Sequence, residues 1–208
     1  LLAENSLIIE GEYKKAVQEF NKWDKYQFLN KDQQNKLIYP LEGYLFPDTY
    51  FVSANSFHPE NLIDLQLITF RQKAIPAIGN SSLPIDQIIN IAAMVEEEAN
   101  MKKDRPIIAG IIWKRYEENW QLGIDATLLY LKKDREITRD DLQEDSAYNT
   151  RKNTGLPPGP ITNPGLDSIK AAAFPEKSDY YYYLTAKDGH MVYAKTNAEH
   201  VNNKVNYL

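Results

Sequence analysis

The chain has 208 residues, 43% hydrophobic and 25% charged, with a formal net charge of -5; this is a globular composition, long enough to bury a core without disulfides or metal. It has no cysteine, which excludes disulfides, thiolate nucleophiles and cysteine-based zinc or iron–sulfur sites, while the acidic balance argues against nucleic acid, whose binders carry a basic face. No apolar run reaches the ~18 residues that span a bilayer and no secretory leader opens the chain, so the abrupt start at Leu1-Leu2-Ala3 reads as that of a fragment whose targeting segment has been removed.

Residues 1–38 read as polar helix in which Tyr13, Val17, Phe20 and Trp23 recur at helical spacing. Pro40 breaks that pattern. Over 41–55 aromatics and β-formers alternate around a Gly and a Pro, which predicts strand, turn, strand. A helix is predicted over 58–75, with Pro59 in its first turn and Leu62, Leu65 or Gln66, Ile68 or Thr69, and Ile75 facing in. Pro84 opens the next helix. Asp104 is expected to cap another, with Pro106 near its start.

Beyond Gly123 the chain is loop-rich. A loop enters a short helix at Gly123–Lys133, a one-turn helix is expected at 137–142, and 148–165 holds too many Pro and Gly for any regular element. A short helix over 166–174 follows, then a tyrosine-rich hairpin turning at Lys187-Asp188-Gly189, then a closing helix capped by Thr196 or Asn197. No internal repeat occurs. Helices and strands are segregated, which predicts an α+β fold with helices packed on small antiparallel hairpins around a loop-lined cleft.

The helix after Pro84 ends in three consecutive glutamates. At ~3.6 residues per turn, Asp86, Gln87, Asn90 and Glu97 fall on a polar side. Ile91, Met94, Val95 and Glu98 share an apolar side, with Ile89, Ala92, Ala93 and Glu96 on its flank. Glu98 is thus expected to point inward, where loss of water and the negative end of the helix dipole both disfavour its charge. Both effects favour a protonated carboxyl, the form a general acid needs. The competing reading is a surface pair with Lys102, four residues on.

His58, His190 and His200 are far apart in sequence and lack the spacing of a zinc helix. Nucleophile-elbow and phosphate-loop patterns are absent, and Asn80-Ser81-Ser82 fits a glycosylation acceptor by a triplet that arises often by chance. The segment Thr154-Gly155-Leu156-Pro157-Pro158-Gly159-Pro160 is a stiff loop with little entropy to lose on binding. Together with Tyr148, Asn149 and Thr150 it reads as a binding wall or a stiff connector, with Asp125 and Thr127 in a second polar loop. Of the tyrosines at 180–183, alternate members face opposite sides, so some can line a cleft that receives sugar rings.

Four stretches in order (Leu41–Tyr50, Ile91–Ala99, Gln121–Tyr130 and Tyr148–Pro175) resemble the YceG-like endolytic murein transglycosylases, and the closing hairpin and helix resemble theirs. The likeness covers roughly 39–208. It implies a catalytic domain over 39–208, with 1–38 as a helical connector after a missing N-terminal subdomain. It also implies a bacterial cell-wall enzyme on the extracytoplasmic face of the plasma membrane, held by a single-pass anchor that lies outside this chain. Its partners would be peptidoglycan glycan strands and the cell-wall synthesis machinery, with no cofactor, no metal and no nucleic acid.

The family's helix-end motif is Glu, a variable residue, Glu, which Glu96 and Glu98 match. Glu98, followed by the small Ala99, takes the acid/base role, and Glu96 stands as alternate or supporting carboxylate. Asp125, Thr127, Tyr148, Asn149, Thr150, Gly155, Pro157, Pro158 and Asn163 become candidates for substrate binding; Asp125 as a loop cap and Asn149 as a loop holder remain open. Where the family commonly has Asp-Pro-Thr, this chain has Asp125-Ala126-Thr127. The implied reaction cleaves the MurNAc–GlcNAc bond within strands and leaves a 1,6-anhydro end. A hydrolytic muramidase, or a non-catalytic wall-binding scaffold, is the rival.

Overall fold

The computed structural model describes residues 11–53, 56–132 and 136–208. Its elements in chain order are α1 (Glu12–Gln18), α2 (Lys31–Gln34), α3 (Pro59–Ile78), α4 (Ile85–Glu98), α5 (Arg105–Glu117), α6 (Asp125–Leu129), α7 (Leu166–Ala173), β1 (Tyr182–Thr185), β2 (Met191–Ala194) and α8 (Asn197–Tyr207). The predicted α+β class holds, its sheet among the described residues being one antiparallel hairpin.

The core is built around α4. Every residue from Ile88 to Val95 is buried, so this helix is central and covered on all sides rather than one-sided. It packs on α5, α6 and α7, and α7 also meets α3 and α5. Helix α7 can sit among them because its buried positions are small: Ser168, Ala171, Ala172 and Ala173 around Ile169. The carbonyls its last turn leaves unpaired find donors elsewhere. Trp113 Nε1 donates to Ala172 at 2.8 Å and Ser81 Oγ to Ala173 at 2.9 Å.

Several expectations are corrected here. The segment 41–53 forms turns and irregular chain, not strands. Tyr44 and Phe46 are buried, but the Gly43 and Leu45 N–H groups donate to the Asn163 side chain. Alternation thus reported burial without a strand partner. Helix α3 runs three residues past its predicted end, and its buried stripe is Leu62, Ile63, Leu67, Phe70, Ala74 and Ile78, while Leu65 is 41% exposed. The face is chosen by Phe70, which packs on Phe28 and Tyr44 at ring separations of 5.0 and 5.2 Å. Asp104 does not cap α5. Residues 102–104 form a 3-10 turn that runs straight into the helix, so Asp104 has helical dihedrals and lacks cap geometry; its buried carboxylate accepts from Tyr193 Oη at 2.8 Å. Asn90, expected on the polar side of α4, is buried.

The hairpin forms as predicted, with Tyr183 opposite Tyr193 and Gly189 at φ 88° in the turn, a conformation that favours glycine. Of the two candidate caps of α8, Thr196 is the one used, its side chain accepting from Glu199 N at 3.2 Å. Val17, Trp23, Tyr26 and Leu29 join the same core as α4, and Tyr26 Oη donates to Asp64 on α3 at 2.9 Å. None of the described helices is long and apolar enough to cross a membrane.

Candidate active site

Helix α4 stops at Glu98 because Ala99 is extended (φ -103°, ψ 104°). The three glutamates separate as the spacing predicted: Glu97 exposed, Glu96 and Glu98 half-buried. The surface pair of Glu98 with Lys102 does not form; Lys102 pairs with Asp167 at 2.7 Å. Among the described residues Glu98 makes no salt bridge.

Burial is the main influence on the Glu98 carboxyl and pushes its pKa above the ordinary range. The Tyr183 hydroxyl beside it on β1 pulls it down; the like charge of Asp125 pushes it up; Arg151 and Arg115 pull it down again. The net direction is up, and the α4 C-terminus adds its own bias against charge. Tyr183 is held neutral by burial beside Glu98, its pKa raised well above normal. Arg115 is locked by backbone carbonyls, with Nε donating to Tyr181 O at 2.9 Å and Nη1 to Leu122 O. One side chain thereby ties the chain entering β1 and the loop before α6 to α5. Asp125, in the first turn of α6, is paired with Arg151.

Glu96 is differently engaged. Arg105 Nη2 donates to its Oε1 at 3.1 Å and the Gly165 N–H to its Oε2 at 3.0 Å. Both oxygens are occupied, and they tie the end of the Pro/Gly loop to α4 and α5.

That loop is fastened at three further points. Asn90 Nδ2 donates to Pro157 O at 2.8 Å. Asn163 Oδ1 accepts from Gly43 N at 2.8 Å and Leu45 N at 3.0 Å, while its Nδ2 donates to Glu42 Oε1 at 3.0 Å. Gly43, at φ 90°, lies against the loop so closely that a Cβ would stand 2.5 Å from Pro160 Cγ and 2.7 Å from Ile89 Cγ2. Gly43→Ala therefore combines left-handed strain with overpacking, and a loss of about 2–4 kcal/mol in urea unfolding is expected. Pro157 is buried, Gly155 half-buried with φ 88°, and Pro158 exposed on the outer turn.

The other sequence candidates divide in two. Asp125 is open to solvent, its side chain 49% exposed. Thr127, Asn149 and Thr150 are buried and their polar groups face other parts of the chain. Thr150 Oγ1 accepts from Ile124 N at 3.0 Å and bonds Thr127 Oγ1 at 3.0 Å, and Thr127 donates to Ile124 O. Asn149 Nδ2 donates to Leu142 O and Glu144 O, while its Oδ1 accepts from Arg151 N. Tyr148 is buried against Tyr130 at 5.1 Å. Thr150→Val leaves the Ile124 N–H buried and unpaired, so a loss of about 1–3 kcal/mol is expected by denaturant titration.

Sequence reasoning did not single out Tyr183, Arg115, Arg151 or Glu42. Glu42, half-buried, accepts from Asn163 and from Tyr130 Oη at 3.4 Å, and burial raises its pKa. Strand alternation could have picked Tyr183 from its neighbours; nothing local marks the other three. Among the described residues no group of three or more His, Asp and Glu is arranged to hold a metal.

The profile of the YceG-like family matches residues 3–206. The chain is 38% identical over 187 residues to the endolytic murein transglycosylase of Bacillus subtilis (strain 168), covering 86% of this chain and 52% of that protein. Identity to the protein of the same name from Streptococcus pneumoniae serotype 2 (strain D39 / NCTC 7466) is 35% over 186 residues, covering 81% and 34%. A crystal structure at 2.6 Å of a YceG-like protein from Listeria monocytogenes matches with a TM-score of 0.86 at 31% identity, over 97% of this chain and 69% of that one. The chain thus spans about half the length of the first curated relative and a third of the second.

Proposed function

The chain belongs to the YceG-like family, and on that premise we propose that it is the catalytic part of an endolytic lytic transglycosylase that cuts peptidoglycan glycan strands at the MurNAc–GlcNAc bond. The observation that carries this reading is Glu98: a half-buried carboxyl at a helix C-terminus, free of any salt bridge among the described residues, with its pKa raised by burial.

In the proposed reaction, protonated Glu98 gives its proton to the glycosidic oxygen, and the GlcNAc side leaves as an alcohol. The bond electrons go with that oxygen, and oxocarbenium character builds at the MurNAc anomeric carbon. The Glu98 carboxylate then takes the proton of the MurNAc 6-hydroxyl, whose oxygen bonds the anomeric carbon and closes the 1,6-anhydro ring. Glu98 ends protonated as it began, and no water is consumed. One carboxyl serves as acid and then base, unlike the paired carboxylates of most glycosidases. Arg151 and Arg115 favour the transient carboxylate, and Tyr183 can donate to it. The loop 148–165, fastened by Asn90, Asn163 and Glu96, is proposed as the wall that keeps water from the reacting face. Asp125 and Arg151 are the proposed polar contacts to substrate. Tyr148, Gly155, Pro157, Pro158 and Asn163 shape the wall, while Thr127, Asn149 and Thr150 act by holding it.

Mass spectrometry of purified glycan strands digested by this chain tests the chemistry. Anhydro ends on every new terminus are expected. Termini that all carry an added water would replace the lyase by a muramidase, with Asp125 as the second carboxylate. Strands left at full length would leave only a wall-binding scaffold. The proposed setting is the extracytoplasmic face of the bacterial plasma membrane beside the cell-wall synthesis machinery, with 39–208 as the catalytic domain.

The pH profile gives a further expected result. The acid must be protonated, so activity falls as pH rises through the raised Glu98 pKa. Asp125→Asn removes a charge that pushes this pKa up, so the alkaline limb moves to lower pH. Arg151→Gln removes one that pulls it down, so the limb moves to higher pH. Profiles of kcat against pH that coincide for all three proteins would rule out Glu98 as the titrating acid.

A further inference from the structure

Tryptophan is unevenly placed in this chain. Trp23 and Trp113 are buried, but Trp120 is 42% exposed. It follows α5 directly, where the chain turns through Asn119 at φ 56°, the one non-glycine residue with positive φ among the described residues. That conformation is uncommon for a side-chain-bearing residue and costs local energy. The turn is closed by Trp120 N donating to Arg115 O at 2.7 Å. On its other side, Gln121 makes an isolated bridge to Thr154, and its side chain donates to Lys152 O at 3.1 Å. Trp120 is thus fixed between α5 and the loop that walls the proposed cleft.

The ring is also backed. It packs on Tyr181 at 4.9 Å and 32°, and meets the edge of Tyr182 at 6.5 Å. Tyr181 is itself held by two contacts: Lys114 Nζ lies 3.8 Å from its ring centre and Glu118 accepts from its hydroxyl at 2.9 Å. Tyr181 N donates to Ala194 O, extending the β1–β2 pairing outward. Tyr181 lies just before β1, two residues from Tyr183 and roughly 7 Å from it along extended chain, and Tyr183 is buried beside Glu98. The exposed aromatic thus packs on a residue two positions from the tyrosine beside Glu98, and its neighbour Gln121 bridges to the loop wall.

We propose that Trp120, backed by Tyr181, is a stacking subsite for a sugar of the glycan strand outside the pair whose bond is cut. A pyranose ring presents an apolar C–H face that fits an aromatic plate, while its hydroxyls and acetamido group find the polar rim of Gln121, Lys114 and Glu118. A plate already ordered by its neighbours loses little entropy on binding. Such a subsite disfavours attack at the strand end that would leave it empty. The proposal rests on the transglycosylase reading and deepens it.

The test pairs cutting with binding. Trp120→Ala is expected to raise KM for long, peptide-free glycan strands about tenfold and to affect the shortest cleavable strand much less; Trp120→Tyr is expected to recover most of the loss. In the Glu98→Gln protein, titration with the same strands is expected to move the indole N–H resonance of Trp120 and leave those of Trp23 and Trp113 in place. Strands cut as before by Trp120→Ala, with an unmoved Trp120 resonance, would overturn the subsite and leave the activity standing. A moving Trp120 resonance with no cutting by the unaltered chain would overturn the transglycosylase reading and keep a glycan-binding plate. Neither binding nor cutting would overturn both.

Discussion

Glu98→Gln is expected to lower the rate of glycan-strand cutting about 10²–10⁴-fold, the contribution of a positioned general acid–base. Glutamine keeps the shape and can still accept from Tyr183, so the cleft stays formed; what it lacks is a transferable proton. The same substitution is expected to stabilise the fold at neutral pH. A carboxyl whose pKa is raised by folding binds more protons in the folded state than in the unfolded one. Stability is therefore highest below the unfolded pKa, near 4.3, and declines as pH rises from there through the folded value. Glutamine has no such penalty, so the stability gain of the variant over the unaltered chain should be absent at low pH and grow across that window. Urea unfolding at a series of pH values measures it. Undiminished cutting would remove Glu98 from the mechanism; a gain that does not vary with pH would mean that folding leaves its pKa unshifted.

Helix spacing alone set Glu97 outward and Glu96 and Glu98 away from solvent, as observed, because a side chain's direction on a helix is fixed by its backbone position. It was less reliable where two faces of a helix carried apolar residues. On α3 the choice between Leu65 and Leu67 fell to a partner, Phe28 and Tyr44 around Phe70, which no local pattern encodes. The failure at 41–53 has a similar origin. Alternating aromatics say that side chains are buried on one side, not what their backbone donors bond to, and here the answer lies 118 to 120 residues away in Asn163. Asn90 follows the same rule: it is polar by type and buried because Pro157 O needs a donor. The loop 148–165 was legible as a stiff, irregular segment from its Pro and Gly content. Its fastening was not, since the groups that hold it, on Glu42, Gly43, Leu45, Asn90 and Glu96, lie far from it in sequence. Thr127, Asn149 and Thr150 were expected to contact substrate, but their polar groups are taken up by the Ile124, Leu142 and Glu144 carbonyls, which meet them only in the folded chain.

Glu96→Gln should behave differently from Glu98→Gln, although the two residues are one helical half-turn apart and chemically identical. Each oxygen of Glu96 has a donor: Arg105 on one, the Gly165 N–H on the other. A glutamine can offer only one acceptor oxygen, so either the Arg105 guanidinium, whose side chain is 14% exposed, or the Gly165 N–H loses its partner to an opposing NH₂ group. Losing a charge-assisted hydrogen bond of this kind costs about 2 kcal/mol, to be read in urea unfolding. Gly165 opens α7 and closes the Pro/Gly loop, so the freed end lets the wall drift from α4. A displacement of an ångström near a reacting group is worth about 10²-fold in rate, and a loss of that order is expected in cutting. Three features would mark it as loss of position rather than of the acid: residual activity well above that of Glu98→Gln, KM rising together with a falling kcat, and an alkaline limb that stays where the unaltered chain has it. If Glu96→Gln instead is dead with its fold intact, and Glu98→Gln still cuts, the proton belongs to Glu96 and the two roles exchange.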